Sequence, residues 1–298
     1  MAIKISNKNI DLIVETAGEH YKGSRFDWNG TVTQVYFQGI PLLGQEKKIF
    51  HRNRKIYGRG LHNEFGIRDC IGYDETAEDG LFPKIGTGWL KKDDKPYFFY
   101  TQYEMENLKF SVKRPRADIA EFICISGEKN GYSYEYKKTI TLLEDGFIID
   151  YEIKNTGSKN MSTTEYVHNF FCPANGKISD NIELSFDFQF EPEKLEKKAE
   201  AGALETDGKT ITFAKEPEGE FYLGGILGAK KDCENVSGWT IKDKKSGLTV
   251  KENDSFEPDA VELWGHSKAI SPEVFFRFSA DPQETVKWQR HYSIKKEQ

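Results

Sequence analysis

One histidine in an aromatic segment has the surroundings expected of a residue that transfers protons. His168 lies within the segment 165–171, between Tyr166 and the neighbouring Phe170 and Phe171. These aromatic side chains can shelter the imidazole from water, which lowers its pKa, whereas a nearby carboxylate would raise the pKa again. Opposed effects of this kind suit a proton donor that works near neutral pH. The alternative is an ordinary structural histidine.

A second candidate for proton transfer lies towards the end of the chain. Glu273 follows Pro272 and begins an apolar stretch at 274–278, so its carboxylate can stand at the end of a sheet. This placement suits a general base. The alternative is a solvent-facing glutamate at the start of a strand.

Strands are the elements that must position these residues. Most of the chain alternates apolar and polar residues at every second position, which predicts strands with one buried face. Aromatic residues make up 13% of the sequence, and they are mixed with Ile, Val and Thr in a composition that favours strands. The predicted strands include residues 31–37, 120–125, 132–143, 147–153, 181–190, 210–213, 248–251, 274–278 and 285–294.

The spacing of the predicted strands indicates the fold class. Turn sequences such as those at 144–146 and 206–208 separate them at short intervals, which predicts an all-β fold with a large antiparallel β-sandwich or barrel. No linker rich in Pro, Ser or Gly interrupts the series, so residues 1–298 are predicted to form a single domain, with two domains as the alternative. The charged run 192–204 fits either a helix or a solvated loop.

Composition argues against several classes of function. The 48 acidic and 42 basic residues give a net charge of −6, and the lysines are scattered, so binding to nucleic acid is not expected. No apolar run is long enough to span a membrane and no signal-peptide pattern is present, which predicts a cytoplasmic location. The cysteines lack the spacing of a zinc site and are predicted to be reduced thiols: Cys70, Cys124, Cys172 and Cys233.

Several segments resemble, in order along the chain, the aldose 1-epimerases or galactose mutarotases and their wider superfamily. The strand at 151–155 runs into an Asn-Thr-Gly turn and is followed by the histidine-aromatic segment 166–171, which resembles the family's segment with a histidine beside aromatic residues. Leu61-His62 is similar to the family's Leu-His-Gly-Gly region, with Asn63 and Glu64 in place of the glycines. The segment 271–273 resembles the one that carries the family's base, and 282–288 resembles its closing strand.

The resemblance implies a galactose mutarotase-like sandwich that interconverts the α and β anomers of a hexose. On the matching positions, His168 is the general acid on the ring oxygen of a pyranose and Glu273 is the general base on the anomeric hydroxyl. Ring opening frees rotation about C1–C2, and reclosure gives the other anomer without a metal or an organic cofactor. The reaction needs two titratable groups whose pKa values are pushed apart.

The resemblance also implies residues that hold the sugar. Trp264 is placed to stack on a sugar face, and Arg59 and His62 are placed to hydrogen-bond its hydroxyl groups. For His62 a structural role is an equal alternative. Lys84 lies in a block, 78–90, that the best-known mutarotases lack, and it is a candidate either for substrate binding or for packing.

Other functions on the same fold stay open. A sugar-binding protein without turnover would need no matched acid and base. A lyase or hydrolase is a third hypothesis, although glycosidases need two carboxylates and no second one looks as well placed as Glu273. A hexose-6-phosphate mutarotase would hold its phosphate with arginines, for which Arg25, Arg59 and Arg68 are candidates. The expected partner is a hexose, and a homodimer is compatible with the sequence.

Overall fold

The computed structural model describes residues 2–47, 53–199, 204–226 and 238–297. Within these ranges short 3-10 helices cover Arg54–Ile56, Pro173–Asn175 and Pro192–Lys194, and strands form most of the remaining regular structure. The strands are β1 (Ile3–Ser6), β2 (Ile10–Glu15), β3 (Thr31–Phe37), β4 (Ile40–Pro41), β5 (Leu61–Phe65), β6 (Leu81–Lys84), β7 (Gly88–Lys91), β8 (Met105–Asn107), β9 (Lys109–Arg116), β10 (Ile119–Ile125), β11 (Tyr134–Leu143), β12 (Gly146–Asn155), β13 (Met161–Asn169), β14 (Ile182–Phe186), β15 (Glu196–Ala199), β16 (Leu204–Thr206), β17 (Thr210–Phe213), β18 (Phe221–Gly224), β19 (Trp239–Asp243), β20 (Leu248–Asp254), β21 (Ala260–His266), β22 (Ala269–Ala280) and β23 (Thr285–Lys296).

Two large antiparallel sheets contain most of the described strands. The first has the order β1-β2-β3-β5-β13-β22-β21-β18-β15, with β4 beside β3, and the second has the order β16-β17-β14-β19-β20-β23-β12-β11-β10-β9. Strands β6, β7 and β8 form a small third sheet. The prediction of an all-β, antiparallel sandwich is confirmed, and each strand predicted from the sequence overlaps an observed strand. The predicted strand 181–190 is a strand only at Ile182–Phe186, and β22 begins at Ala269, so Glu273 lies inside a strand and not at the start of one as expected.

The hydrophobic core lies between the two large sheets. Along β11 and β12 nearly every second side chain is buried, as expected for strands that present one face to a core. Phe65 on β5 contacts Tyr136 on β11 and Trp288 on β23, with ring centroids 5.5 and 6.3 Å away. Aromatic side chains from both sheets therefore interlock in the core.

The central strands of the first sheet are buried on both faces. Every residue of β5 is buried, and along β13 only Ser162 is exposed. One face of these strands packs in the sandwich, and the opposite face contacts Arg25, in the segment between β2 and β3, and Lys84 at the end of β6. Because both faces are covered, the alternation of apolar and polar residues is lost there. The second buried face carries the polar residues described below.

A buried cluster of charges joins the first sheet to the second. Arg290 on β23 is fully buried, and its Nη2 donates hydrogen bonds to Glu165 on β13 at 2.8 Å and to the carbonyl of Val274 on β22 at 2.9 Å. Its Nη1 donates to Glu252 at 3.0 Å and to Asp254 at 3.3 Å, both on β20. Burial, together with the charge of Glu252, raises the pKa of Asp254 well above its ordinary value.

The charged run 192–204 is neither the helix nor the solvated loop that its composition allows. It begins with the 3-10 helix Pro192–Lys194 and continues into β15, which pairs with β18 at the edge of the first sheet. Residues 200–203 lie outside the described residues. A neighbouring strand supplies the backbone hydrogen bonds of β15, and such a partner cannot be recognised from the composition of the run itself.

Three further sequence-based expectations concern the chain as a whole. The described cysteines Cys70, Cys124 and Cys172 are free thiols, and Cys233 lies outside the described residues. In the part of the chain that the structure describes, no helix is long and apolar enough to span a membrane. The organisation as one domain over 1–298 stays a prediction.

Candidate functional site

Four polar side chains form a row across neighbouring strands of the first sheet, on the face away from the sandwich core. His62 on β5 pairs with His168 on β13, and Glu273 on β22 pairs with Glu262 on β21. The register of β13 with β22 places His168 beside Glu273, with Nε2 of the imidazole 3.3 Å from Oε1 of the carboxyl group. All four side chains are buried. The structure thus brings the two predicted proton carriers into contact.

The two histidines are held in defined orientations. Nδ1 of His62 accepts a hydrogen bond from the backbone N–H of Arg59 at 3.0 Å, so the proton of the neutral ring lies on Nε2. The His62 ring stacks on Phe26 at 5.0 Å, and the His168 ring stacks on Phe170 at 4.0 Å. Among the described residues, His62 Nε2 and His168 Nδ1 have no hydrogen-bond partner. Buried polar atoms of this kind are expected where a ligand or a water molecule supplies the partner.

The pKa values of the central pair shift in opposite directions. Burial lowers the pKa of His168 well below its ordinary value, and the charge of Arg25 acts in the same direction. Burial raises the pKa of Glu273 well above its ordinary value, and the charge of Glu262 adds to this effect. The hydroxyl of Ser271 donates to Glu273 at 3.1 Å, which opposes the rise. These shifts favour a neutral imidazole beside a protonated carboxyl, so the pair carries one proton.

A buried arginine borders the row. The Nε of Arg25 donates to Glu64 at 2.7 Å, Nη1 donates to Glu46 at 3.1 Å, and Nη2 donates to the hydroxyl oxygen of Tyr166 at 3.0 Å. Glu64 and Tyr166 stand two positions along their strands from His62 and His168, so they lie on the same face. The arginine is therefore the positive centre of a cluster that adjoins both histidines.

Aromatic residues between β7 and β8 cover this cluster. The rings of Phe99 and Tyr100 lie 4.6 and 4.8 Å from the guanidinium of Arg25, and the hydroxyl of Tyr100 donates to Glu46 at 2.8 Å. Phe98 is 54% exposed and lies next to Phe99 in the same group. The cover keeps Arg25 almost entirely away from solvent.

The residues predicted to hold a sugar take different positions. Trp264 is half-buried and meets the His168 ring edge-on at 4.9 Å. Lys84 is buried, donates to the hydroxyl oxygen of Tyr97 at 2.7 Å, and lies 3.8 Å from Glu64. The guanidinium of Arg59, in contrast, forms an ion pair with Glu15 on β2, and Arg59 contacts the row through its backbone N–H.

Glu262 is a residue of this site that sequence reasoning missed. The hairpin of β21 and β22 pairs His266 with Ala269, and counting outward from that turn places Glu262 opposite Glu273. The guanidinium of Arg68 forms an ion pair with Glu262. The expectation that no second carboxylate is as well placed as Glu273 is therefore corrected. The signal was present in the sequence, because the turn register alone pairs the two glutamates.

The arrangement can transfer protons to and from a ligand on the covered face. A buried imidazole and a buried carboxyl lie within 3.3 Å of each other, and unpartnered nitrogen atoms of both histidines are available to ligand atoms. Among the described residues, no group of three or more His, Cys, Asp and Glu side chains has an arrangement that could hold a metal ion.

Solved structures with the same architecture are known, although no protein-family model and no curated protein matches this sequence. The chain is similar to the Slr1438 protein from Synechocystis sp. PCC 6803, with 12% identity and a TM-score of 0.61 over 100% of this chain and 96% of that chain. It is similar to a galactose mutarotase-like protein from Lactobacillus casei, with 14% identity and a TM-score of 0.57 over 99% and 100% of the two chains. A galactose mutarotase-like protein from Clostridium acetobutylicum gives 14% identity and a TM-score of 0.56 over 99% and 95%. At these identities the likeness shows the fold, which is that of the galactose mutarotase-like proteins.

Proposed function

We propose that this chain uses its galactose mutarotase-like fold as an aldose 1-epimerase, which interconverts the α and β anomers of a hexose by proton transfer. The observation that carries the proposal is the 3.3 Å contact between His168 and Glu273 on a buried face lined with aromatic residues. Both residues stand on neighbouring strands of one sheet, so the backbone ladder fixes their relative position. General acid–base catalysis requires each proton carrier to reach its own substrate atom, and neighbouring strands present both carriers on one face of the sheet for a single ligand.

The proposed reaction conserves protons at each step. In the reactive form the single proton of the pair has moved from the carboxyl of Glu273 to His168 across the 3.3 Å contact. His168 then donates it to the ring oxygen while the carboxylate of Glu273 accepts the proton of the anomeric hydroxyl, so the C1–O5 bond breaks and C1 becomes an aldehyde carbon. Rotation about C1–C2 presents the other face of the carbonyl group, and reclosure returns both protons with the roles exchanged. Because the pair holds a single proton, it always supplies one acid and one base, whichever residue begins as the acid.

Two neighbouring side chains are suited to hold the sugar. The Nε2–H of His62 can donate to a hydroxyl group, since it is buried and has no partner among the described residues. The half-buried ring of Trp264 stands at the edge of His168 and can pack on an apolar sugar face. In this proposal both side chains bind and orient the sugar.

The charges around the site favour a neutral sugar over a sugar phosphate. A phosphate would have to displace a carboxylate from an arginine, which leaves a buried or half-buried negative charge without its partner. Each arginine that the sequence offers for a phosphate is already paired: Arg25 with Glu46 and Glu64, Arg59 with Glu15, and Arg68 with Glu262.

A panel of freshly dissolved aldoses, followed by NMR at their anomeric protons, tests the proposal. The protein is expected to accelerate the approach to anomeric equilibrium for at least one neutral hexose and to leave glucose 6-phosphate at the rate of buffer. Sugar signals that broaden without faster exchange would point to a binding protein. Neither broadening nor acceleration with any sugar would overturn the proposal.

Glu262→Gln is expected to move the alkaline limb of the pH profile of kcat/KM to lower pH. The charge of Glu262 adds to burial in raising the pKa of Glu273, so its removal lowers that pKa. The pair then loses its proton at lower pH, which moves the alkaline limb. The acid limb reports protonation of neutral His168, which gives the pair a second proton, and it should stay at a pH below the ordinary histidine pKa.

The control for this variant is Glu135→Gln, at an exposed position of β11 in the second sheet. It should leave both limbs in place. The groups that interact with Glu273 include His168, Glu262, Ser271, Arg25, Glu64, Tyr166 and Tyr222, and among the carboxylates Glu262 is the larger influence on its pKa. An alkaline limb that stays in place or moves to higher pH in Glu262→Gln would contradict this role.

A further inference from the structure

The carboxylate of Glu262 is held from outside the row by an arginine. Arg68 lies in the segment between β5 and β6, and its Nη2 donates a hydrogen bond to Oε1 of Glu262. The side chain of Glu262 is 8% exposed, whereas that of Arg68 is 61% exposed. The ion pair therefore joins a buried carboxylate of the row to a guanidinium at the protein surface.

Two aromatic side chains support this ion pair. The guanidinium of Arg68 lies 5.6 Å from the ring of Phe275, which stands two positions from Glu273 on β22. Tyr222 on β18 is half-buried and forms a hydrogen bond with Glu262. Burial raises the pKa of Tyr222, and the charge of Glu262 and this hydrogen bond act in the same direction. Contacts from two neighbouring elements thus orient the Glu262 carboxylate.

The two glutamates of the row are close enough for the charge of one to act on the other. They are directly paired across β21 and β22, and the Cβ atoms of directly paired residues lie about 4.5–5.5 Å apart. Two adjacent carboxyl groups in a buried position do not readily ionise together. Glu262 is paired with Arg68, whereas Glu273 contacts the neutral imidazole of His168. The arrangement therefore favours the negative charge on Glu262 and the proton on Glu273.

We propose that Arg68 is a positioning residue of the proposed site, which acts through Glu262 and sets the upper end of the pH range in which the acid–base pair keeps its proton. The inference rests on the proposed function, because it takes His168 and Glu273 to be the proton carriers. Arg68 neutralises part of the charge of Glu262 and so limits the repulsion between Glu262 and an ionised Glu273. A stronger repulsion would hold the proton on Glu273 and hinder its transfer to His168.

Arg25 is a second positive charge that acts on Glu273. Its attraction opposes the rise that burial causes in the pKa of Glu273. The hydrogen bonds of Arg25 go to Glu46, Glu64 and Tyr166, so its contribution should persist when Arg68 is replaced. The titratable and charged groups that act on Glu273 from neighbouring elements are His168, Tyr166, Arg25, Glu64, Glu262 and Tyr222.

Arg68→Met tests the proposal, because methionine keeps an apolar side chain beside Phe275 and removes the charge. We expect the alkaline limb of the pH profile of kcat/KM to move to higher pH by about half a unit, a size that fits an ion pair with one exposed partner. This direction is opposite to that expected for Glu262→Gln. In the double variant the limb should lie where Glu262→Gln alone places it, because Arg68 then has no carboxylate to neutralise.

The ionisation of Glu273 is also measured without turnover, by an NMR titration of its carboxyl carbon in protein that contains isotope-labelled glutamate. The signal is assigned by its absence in Glu273→Gln. The midpoint should rise in Arg68→Met by the same amount as the alkaline limb. The matched control is Arg116→Met, since the side chain of Arg116 is 67% exposed and pairs with Asp118. This variant should leave the midpoint and the limb in place.

The two measurements separate this role of Arg68 from the proposed function. A Glu273 midpoint that stays in place or falls in Arg68→Met would overturn the role of Arg68. An equal rise with glutamate and with glutamine at position 262 would also overturn it, because Arg68 would then not act through Glu262. If no sugar is turned over but the midpoint rises as expected, the epimerase proposal fails and the control of Glu273 by Arg68 stands. If a sugar is turned over and the midpoint does not move, the role of Arg68 fails alone.

Discussion

Replacement of His168 by Asn, or of Glu273 by Gln, is expected to lower kcat for anomer interconversion by about 10²–10⁴, the usual contribution of a positioned acid or base. Each substitution removes one proton carrier from the pair and keeps a polar side chain in a buried position. The remaining partner cannot both give and accept a proton in one step. Polarimetry of freshly dissolved α-glucose or α-galactose measures the loss.

The controls for this prediction make the same two replacements, His by Asn and Glu by Gln, at positions outside the proposed site. His291→Asn on β23 and Glu135→Gln on β11 lie in the second sheet and should leave the rate unchanged. The double variant of His168 and Glu273 should lose little more activity than either single variant, since residues that act as a unit are not additive. Native rates in either single variant would show that the mechanism is wrong.

Arg290→Met is expected to lower the free energy of unfolding by about 3–5 kcal/mol, the usual cost of removing one partner from a buried ion pair. The substitution leaves the carboxylates of Glu165, Glu252 and Asp254 close together between the sheets without the guanidinium that neutralises them. Urea denaturation of native and variant proteins measures the difference.

The loss in Arg290→Met should also depend on pH in a defined direction. Burial already raises the pKa values of Glu165 and Asp254, and loss of the guanidinium raises them further. A carboxyl group with a higher pKa in the folded than in the unfolded protein costs stability as the pH rises from the unfolded to the folded pKa. The deficit of the variant relative to the native protein should therefore shrink on acidification from neutral pH.

Arg116→Met is the matched control for the buried arginine. Arg116 pairs with Asp118 at 2.7 Å, but its side chain is 67% exposed. Exposed ion pairs contribute less than about 1 kcal/mol, so this variant should stay close to the native stability. A loss in Arg290→Met no larger than that in Arg116→Met would mean that the buried cluster does not stabilise the sandwich.

The buried cluster also contacts the backbone that carries the proposed site. Asn169, next to His168, donates to the carbonyl of Pro272 at 2.8 Å and to Glu252 at 3.3 Å. Pro272 in turn precedes Glu273. Inward-facing side chains thus fix the neighbours of both proton carriers, while the carriers themselves face the opposite side of the sheet. This division explains why β13 and β22 are polar on both faces.

The strands and the fold class could be predicted from the sequence because strand periodicity is a local property. The segments 31–37 and 147–153 alternate along their length, and each proves to be a strand. Secondary structure was predicted less well where a neighbouring strand decides it. The run 192–204 is an example, because it contains a strand that pairs with β18. Strands were also predicted less well where both faces are covered, as in β5, because such strands lack the alternation of apolar and polar residues.

The sequence by itself determined that His168 stands among aromatic residues and that Glu273 follows a proline at the start of an apolar stretch. Only the tertiary structure decided that they touch, because β13 and β22 are far apart in the chain and meet through backbone pairing. It also added Glu262 and Arg25 to their surroundings. The directions of the pKa shifts follow from burial and neighbouring charge, which exist only after folding.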